Sequence, residues 1–350
     1  MKRFALLAAI GCVVLSGCAP KDGEATVGTN APAEGKKLQI VYIPKNTGNP
    51  YFNDVNRGFE DACKEIGAEF TTVGPSKADP TSQIPIIKEQ TQRGVDVIAI
   101  SANSPDALNQ VMDQARSRGI TVITVDSDLV GNESHRDACT IPADFSEIGS
   151  AQVELLGSLI GYDGEIAILS ATTEAPNQNA WIEKMKETLK DAKYGKMKLV
   201  EVVYGDDDAV KSTTECEALL TKHPNLRGII SPTTVGVAAS AQVLKQRGVY
   251  AGGPNAKGKG VELTGLGTPD QMRSFINDGV VKAFQLWEPY NEGFLAAWLG
   301  AQIKQGKLKP VAGVEVDAPK LGKRKFSDKL ELVGSPLVTF TKENIEKYHF

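Results

Sequence analysis

The sequence contains few residues of the types that carry metal or disulfide chemistry. Only three histidines occur among 350 residues, and the five cysteines are scattered along the chain. These counts argue against most histidine-based metal sites and against a disulfide scaffold, and we expect no metal and no cofactor. Basic residues number 39 against 43 acidic ones, so the charge gives no reason to expect a nucleic-acid partner.

Motifs of the common enzyme classes are missing as well. The sequence has neither a Gly-x-Ser-x-Gly elbow nor a His-Glu-x-x-His pair. Segment 253–260 has the spacing of a phosphate-binding loop but ends in Gly260, where serine or threonine would hold the metal ion, so we interpret it as a solvated loop. Aspartates 206–208 precede a predicted helix and are interpreted as its acidic cap. Residues 323–325 are interpreted as a solvated basic run.

The N-terminus has the pattern of an export signal. A basic start is followed by the apolar run 4–15, which as a helix would rise about 18 Å and fall short of the roughly 30 Å hydrocarbon layer. We predict a cleaved signal peptide over residues 1–17. The Leu-Ser-Gly-Cys motif that ends at Cys18 resembles a bacterial lipobox and implies a lipid on Cys18; ordinary secretion with a free cysteine is the alternative. Residues 18–37 predict a flexible tether.

The rest of the chain has the composition of a folded protein of about two domains, with 41% apolar and 23% charged residues overall. Short apolar runs alternate with segments of helical spacing that end in glycines such as Gly67 and Gly119. This alternation predicts an α/β fold of two doubly wound parallel-sheet lobes, because about nine strands are too many for one open sheet. No disulfide framework is implied for Cys63, Cys139 and Cys216. The runs are 38–43, 69–73, 95–100, 121–125, 165–169, 199–203, 228–230, 261–266 and 280–286.

Polar and aromatic residues follow the predicted strands. In doubly wound folds, ligands bind beyond the carboxyl ends of the strands. The residues at these positions offer hydrogen-bonding groups and an aromatic side chain in each half, but no nucleophile paired with a base. This composition favours binding of a small polar molecule over catalysis. The segments are 44–52, 101–103, 126–128, 170–178, 231–234, 267–269 and 287–289.

Several motifs at these strand ends carry a family resemblance. They include Ile43-Pro44-Lys45 with Asn49-Pro50-Tyr51-Phe52, Val125-Asp126-Ser127-Asp128, Gln178-Asn179-Ala180-Trp181, Gly267-Thr268-Pro269-Asp270 and Leu286-Trp287-Glu288-Pro289. Together they resemble periplasmic sugar-binding proteins of the ribose-binding type, and within these the autoinducer-2 and rhamnose receptors of ABC importers. The resemblance covers about residues 38–350. It implies a monomer in the periplasm or cell envelope that is not an enzyme, binds a small sugar and delivers it to a membrane permease.

The resemblance also implies how the lobes are connected. Two lobes are expected to close on the ligand about a hinge, because contacts to the second lobe form only in the closed state. The three hinge crossings are expected near 140–142, 285–289 and 334–340. The first lobe would comprise 38–141 plus 289–335, and the second 142–288 plus 336–350.

Ligand contacts follow from the same resemblance. A sugar presents a ring of hydroxyls and an apolar face, so its site needs carboxylates, amides, a cation and aromatic walls. Lys45 is expected to donate to ligand oxygens, and Asp126 to accept from two vicinal hydroxyls. Structural alternatives are a turn cap for Asp126, packing beneath the site for Phe52 and hinge core for Trp287. The other expected contacts are the amides Asn177 and Gln178, the bordering Pro232 and Thr234, the apolar walls Phe52 and Trp287, and Glu288.

Departures from the family pattern bear on the ligand. Ser127 stands where ribose and galactose receptors have arginine, and Leu266 stands where they have aspartate, which makes that side of the site apolar and suits a methyl group. Asn177 and Thr234 replace an aspartate and an alanine of autoinducer-2 receptors. We therefore expect rhamnose or a related 6-deoxyhexose, with autoinducer-2 and other sugars as alternatives.

Two other functions share some of these features. An exported enzyme acting on sugars needs two carboxylates about 5 to 10 Å apart, and the sequence offers Asp126 with Glu288. A sensory protein that presents its ligand to a membrane kinase uses the same fold. Turnover of a glycoside would identify the enzyme, and adjacent ATPase and permease genes would favour import.

Overall fold

The structure, a computed structural model, describes residues 36–350. The predicted signal peptide, Cys18 and nearly all of the predicted tether lie outside the described residues. Within 36–350, no helix combines the length and the apolar character that crossing a membrane requires. Cys63, Cys139 and Cys216 are buried free thiols.

Fourteen strands and nine α-helices make up the described part of the chain. The strands are β1 (Gln39–Ile43), β2 (Glu69–Thr72), β3 (Val97–Ile100), β4 (Thr121–Val125), β5 (Ala138–Ile141), β6 (Asp163–Ser170), β7 (Lys196–Tyr204), β8 (Leu226–Ser231), β9 (Glu262–Gly265), β10 (Ala283–Leu286), β11 (Glu315–Ala318), β12 (Gly322–Lys325), β13 (Glu331–Val333) and β14 (Val338–Thr341). The helices are α1 (Tyr51–Ile66), α2 (Pro80–Arg93), α3 (Asn109–Ser117), α4 (Phe145–Ile160), α5 (Pro176–Thr188), α6 (Ala209–Lys222), α7 (Thr234–Arg247), α8 (Pro269–Asn277) and α9 (Pro289–Lys304).

Two parallel sheets form two lobes. The first sheet has the order β13-β5-β4-β3-β1-β2, and every neighbouring pair is parallel. The second has the order β7-β6-β8-β9, also parallel. A bridge between Leu266 and Gln285 joins β10 to this second sheet, and β10 pairs with β14 in antiparallel orientation. The predicted fold class is confirmed.

The first sheet is apolar on both faces because helices cover both faces. On one face, Val41 and Ile43 of β1 pack in a cluster with Ile87 of α2. On the other, Tyr42 of β1 stacks on Phe59 of α1 with ring centroids 4.7 Å apart. Alternate residues of one strand therefore serve two cores, and the strands appear in the sequence as continuous apolar runs.

Helices α1 and α9 cross closely at two glycines. A Cβ atom at Gly58 would lie 2.1 Å from the carbonyl oxygen of Tyr290, and one at Gly293 would lie 2.0 Å from that of Val55. No other residue fits at this spacing. The close crossing brings the buried Glu292 of α9 against Tyr51 at the start of α1.

The chain passes between the two lobes three times. The crossings run from β5 to α4, from β10 to α9 and from β13 to β14. They lie near the predicted positions of the three hinge crossings; the lobe limits given above stay a prediction. Each crossing joins the carboxyl end of a strand to the other lobe, so movement of the hinge acts on the same edge where the predicted ligand contacts lie.

Strand β5 and the strands after β10 were not among the predicted runs. Strand β13 has three residues, and β11 pairs with β12 in an exposed antiparallel hairpin, so neither carries a long apolar run. The basic run 323–325 forms the end of β12, where Lys323 lies 2.8 Å from Glu315. Segment 253–260 contains no helix or strand, in agreement with its interpretation as a loop.

Candidate functional site

A cavity of about 40 Å³ lies between the two lobes at the carboxyl ends of the strands. First-lobe loops and second-lobe loops both line it, as expected for a ligand site at the switch points of two doubly wound sheets. The structure brings together eight of the nine predicted contacts. They are Lys45, Phe52, Asp126, Asn177, Gln178, Pro232, Thr234 and Trp287.

Lys45 follows β1 and forms the centre of the polar wall. It is buried, with 4% of its surface exposed, and its Nζ donates to Asn177 Oδ1 at 2.6 Å across the cleft. The same Nζ lies 3.7 Å from Asp126 Oδ2. The Lys45 carbonyl accepts a hydrogen bond from the side chain of Asn103, which holds the loop in place. Lys45 thus presents a positive charge to both lobes.

Asp126 follows β4 with its backbone in the left-handed region, at φ 64°. A non-glycine residue tolerates this region only at some cost, and aspartate tolerates it better than most. The side chain accepts from Asn177 Nδ2 at 3.2 Å. Burial raises the pKa of Asp126; Lys45 opposes that rise and the charge of Asp207 adds to it. The carboxylate can accept hydrogen bonds from a hydroxylated ligand.

The next acidic residue along this loop has a different role. Asp128 is buried and binds Arg136 at two points, with Arg136 Nε donating to Oδ1 at 2.7 Å and Nη2 to Oδ2 at 2.5 Å. Thr124 donates to the same carboxylate at 2.5 Å. Asp128 therefore stabilises the first lobe, whereas Asp126 faces the cavity.

In the second lobe, Gln178 is held by its neighbours. Its Nε2 donates to the carbonyl of Pro232 at 2.5 Å, and its Oε1 accepts from Ser170 at 3.0 Å. Both ends of the amide are thereby occupied, so Gln178 fixes the Pro232 loop as well as lining the cavity. Thr234 begins α7 and donates to Asn49 Oδ1 of the first lobe at 2.8 Å, a second hydrogen bond across the cleft.

Aromatic side chains form the apolar wall. Trp287 lines the cavity and is also buried in the core between the lobes, so both interpretations of this residue apply. Its Nε1 donates to the hydroxyl of Tyr51 at 2.7 Å, and Tyr51 donates to Glu292 Oε2 at 2.8 Å. Phe52 packs edge-on against Tyr51 with ring centroids 5.2 Å apart. The wall is therefore anchored by a buried chain of hydrogen bonds.

Glu288, the ninth predicted contact, does not line this cavity. It precedes α9 and is half-buried. Burial raises its pKa, the charge of Asp54 adds to the rise, and Arg57 opposes it. Glu288 and Asp126 therefore do not share the cavity, so the structure does not bring together the particular pair of carboxylates that the sequence offered for a sugar-acting enzyme.

Sequence reasoning missed several lining residues. Tyr51 and Trp181 line the cavity. Both occur in family motifs that contain predicted contacts, and this position in the motifs could have indicated their role. Asp207 was interpreted as part of a helix cap, but only Asp208 caps α6, by accepting from the backbone of Lys211. Across the described residues 36–350, no group of three or more acidic, histidine or cysteine side chains could hold a metal ion.

Comparison with known proteins identifies the family. The family model for the periplasmic binding protein domain matches residues 40–308. The chain belongs to this family. It is accordingly a substrate-binding protein of the kind that serves ABC importers, and not an enzyme.

Solved structures agree with this assignment. A sugar ABC transporter protein from Actinomyces odontolyticus is 40% identical over 89% of this chain and 98% of that chain, with a TM-score of 0.70. An ABC transporter solute-binding protein from Clostridium phytofermentas, solved with bound L-rhamnose, is 31% identical over 89% and 98%, with a TM-score of 0.84. LsrB from Clostridium saccharobutylicum, solved with AI-2, is 22% identical over 89% and 100%, and its TM-score of 0.80 shows a shared fold.

Proposed function

We propose that the protein captures a monosaccharide outside the cytoplasm and delivers it to an ABC permease. The observation that carries this proposal is the cluster of Lys45, Asp126 and Asn177, which joins the two lobes inside one cavity. A cation, a carboxylate and an amide can satisfy the hydroxyls of a sugar, and Phe52 with Trp287 can cover its apolar face.

L-Rhamnose or a related 6-deoxyhexose is the favoured ligand. Leu266 lines the cavity and is buried, so this wall offers a surface for a methyl group and no partner for a hydroxyl. A hydroxyl placed there would lose its hydrogen bonds to water without replacement. The 31% identical relative was solved with L-rhamnose, which supports the same choice.

Autoinducer-2 is the second candidate. Lys45, Asp126 and Gln178 line the cavity at positions where the resemblance implies autoinducer-2 contacts. Asn177, however, supplies an amide where those receptors have a carboxylate, and Thr234 supplies a hydroxyl. The site therefore has one carboxylate fewer at this point than an autoinducer-2 site.

Capture would proceed by closure of the hinge. Lys45 and Asn49 bond to Asn177 and Thr234 of the opposite lobe, so the polar groups of both lobes meet only when the cleft is closed. A ligand that contacts both lobes binds the closed state more tightly than the open one, and this difference in affinity sets how far it shifts the protein towards the closed state. The closed protein, acting as a monomer, would then dock on the permease, and a lipid on Cys18 would keep it near the membrane.

Isothermal titration calorimetry of the purified protein tests this proposal. We expect binding of L-rhamnose, and binding of L-mannose weaker by roughly tenfold or more, because L-mannose is the same sugar with a hydroxyl in place of hydrogen on the methyl group. L-Fucose, D-ribose and autoinducer-2 complete the series. Tightest binding of autoinducer-2 would replace rhamnose by the second candidate, and failure of all these ligands would overturn the proposal.

A further inference from the structure

Asp207, a residue of the second lobe, lines the same cavity as Asp126 of the first lobe. It follows β7 with its backbone in the left-handed region, at φ 51°, and its side chain is half-buried. The hydroxyl of Thr233 donates to its carboxylate and holds it in place. Both Asp207 and Thr233 line the cavity.

The two neighbouring aspartates are turned to other partners. Asp206 binds Lys211 at 2.5 Å and is exposed, and Asp208 accepts from the backbone nitrogen of Lys211 at 2.8 Å as the cap of α6. Of these three aspartates, only Asp207 lines the ligand cavity. Capping of α6 therefore accounts for the position of Asp208. It does not account for Asp207, whose carboxylate is held at the ligand cavity.

Asp207 shares the cavity with Lys45 and Asp126 of the first lobe, and the directions of the pKa shifts agree with this placement. Burial raises the pKa of Asp207, and Lys45 of the opposite lobe opposes that rise. The charge of Asp207 in turn raises the pKa of Asp126. A carboxylate in each lobe thus faces the same cavity, and ionised carboxylates only accept hydrogen bonds.

We infer that Asp207 is a ligand contact that determines specificity: it accepts a hydrogen bond from a sugar hydroxyl other than those held by Asp126. This inference rests on the proposed function. It narrows the ligand class to sugars that can donate hydroxyl hydrogen bonds to a carboxylate of each lobe at the same time. Among the described residues, Lys45 is the single cation that lines the cavity beside these two carboxylates, so the site disfavours sugar acids.

Asp207 also lines a larger cavity, of about 660 Å³, at the mouth of the cleft. Asp206 and Asp208 line this second cavity but not the first. Asp207 thus stands at the boundary between the ligand cavity and the mouth.

Calorimetry with L-rhamnose on Asp207→Asn and on the matched control Asp206→Asn tests the inference. Asparagine tolerates the left-handed backbone at both positions, so each variant changes only the charge and one acceptor. We expect Asp207→Asn to weaken binding roughly 10- to 100-fold, as for a lost charge-assisted hydrogen bond, and Asp206→Asn to stay within about twofold. Equal affinity of the two variants would overturn the inference.

Analogues that each lack one hydroxyl provide a readout that a merely structural role would not give. For the analogue that lacks the hydroxyl bound by Asp207, wild type and Asp207→Asn should bind with the same affinity. For a different analogue, wild type and Asp126→Asn should bind with the same affinity. A loss of the same size for every analogue would refute a direct contact. Thr233→Val, which removes the hydroxyl that holds Asp207, should give a smaller loss with the same pattern. If wild type binds none of the sugars, the proposed function fails; if it binds and Asp207→Asn matches wild type, only this inference fails.

Discussion

Lys45 Nζ lies 2.6 Å from Asn177 Oδ1, so a side chain of the first lobe is hydrogen-bonded directly to one of the second inside the ligand cavity. Asn177 in turn donates to Asp126 of the first lobe at 3.2 Å. The groups proposed to bind the sugar therefore satisfy one another in the closed state. A ligand must exchange these bonds for its own, so its affinity depends on how completely its hydroxyls replace them.

Replacing Lys45 by methionine tests the role of this cation. Methionine keeps the length of the side chain but cannot donate, and it leaves Asp126 without its positive neighbour. We expect sugar affinity to fall roughly 100-fold or more, because a charge-assisted bond is lost and a buried carboxylate loses its partner. Calorimetry measures the loss. Lys77→Met, at an exposed lysine of the cleft mouth, serves as the control, and a loss of similar size in both variants would contradict the prediction.

Sugar binding should weaken as the pH falls. Burial raises the pKa of Asp126 and of Asp207, so each carboxylate takes up its proton at a higher pH than an ordinary aspartate. A protonated carboxyl is a weaker acceptor, so as the pH falls the affinity should begin to decrease at a pH above the range in which exposed aspartates, with a pKa of about 3.9, titrate. Calorimetry at several pH values measures this, with the melting temperature recorded to show that the protein stays folded. An affinity that does not change as the pH falls towards that range would count against ionised carboxylates as ligand contacts.

The lobes and most of the site were predictable from the sequence because the apolar runs that mark the strands are followed directly by the polar residues that line the cavity. Apolar runs such as 121–125 are buried on both faces, and the polar residues directly after them, Asp126 among them, necessarily lie at one edge of the sheet. Asp207 was not predictable, because three consecutive aspartates before a helix have the same pattern whether they cap the helix or line a cavity. Glu288 was misplaced because a residue at a hinge crossing can face either side, which only the packing of α9 decides.

Glu292 should destabilise the folded protein increasingly as the pH rises. It is fully buried, and burial together with the charge of Asp126 raises its pKa well above the usual range. In the unfolded chain the pKa is about 4.3, so above that pH the folded protein retains a proton that the unfolded chain releases, and the free energy of unfolding falls with rising pH.

The variant Glu292→Gln removes this titration. We expect its melting temperature, relative to wild type, to rise between pH 5 and pH 8. Thermal unfolding at each pH measures the difference, and Glu69→Gln at an exposed position is the control. A difference between Glu292→Gln and wild type that is constant with pH would show that the carboxyl does not titrate in this way.

The buried pair of Asp128 and Arg136 should be important for stability but not for binding. Arg136→Met leaves Asp128 buried without its partner, and breaking such a pair costs about 3 to 5 kcal/mol. We expect the free energy of unfolding in urea to fall by that order. Sugar affinity should change little under conditions where the variant is folded, because neither residue lines the cavity. A large loss of affinity with unchanged stability would instead assign the pair to the ligand site.

Packing of α1 against α9 should control the ligand site through Gly293. An added Cβ at this position would lie 2.0 Å from the carbonyl of Val55, so Gly293→Ala must force the two helices apart. We expect the free energy of unfolding to fall by about 1 to 3 kcal/mol, and Gly195→Ala, where the backbone is already helical and the nearest contact is 3.3 Å, to be close to neutral.

The same displacement should reach the cavity. Glu292 precedes Gly293 and accepts the hydroxyl of Tyr51 at 2.8 Å, and Tyr51 accepts from Trp287 at 2.7 Å. Moving α9 away from α1 lengthens the first of these bonds and frees the aromatic wall, so Gly293→Ala should also bind sugar more weakly than Gly195→Ala. Tryptophan fluorescence and calorimetry measure the two effects. Reduced stability with unchanged affinity would show that the aromatic wall keeps its position without the close crossing of the helices.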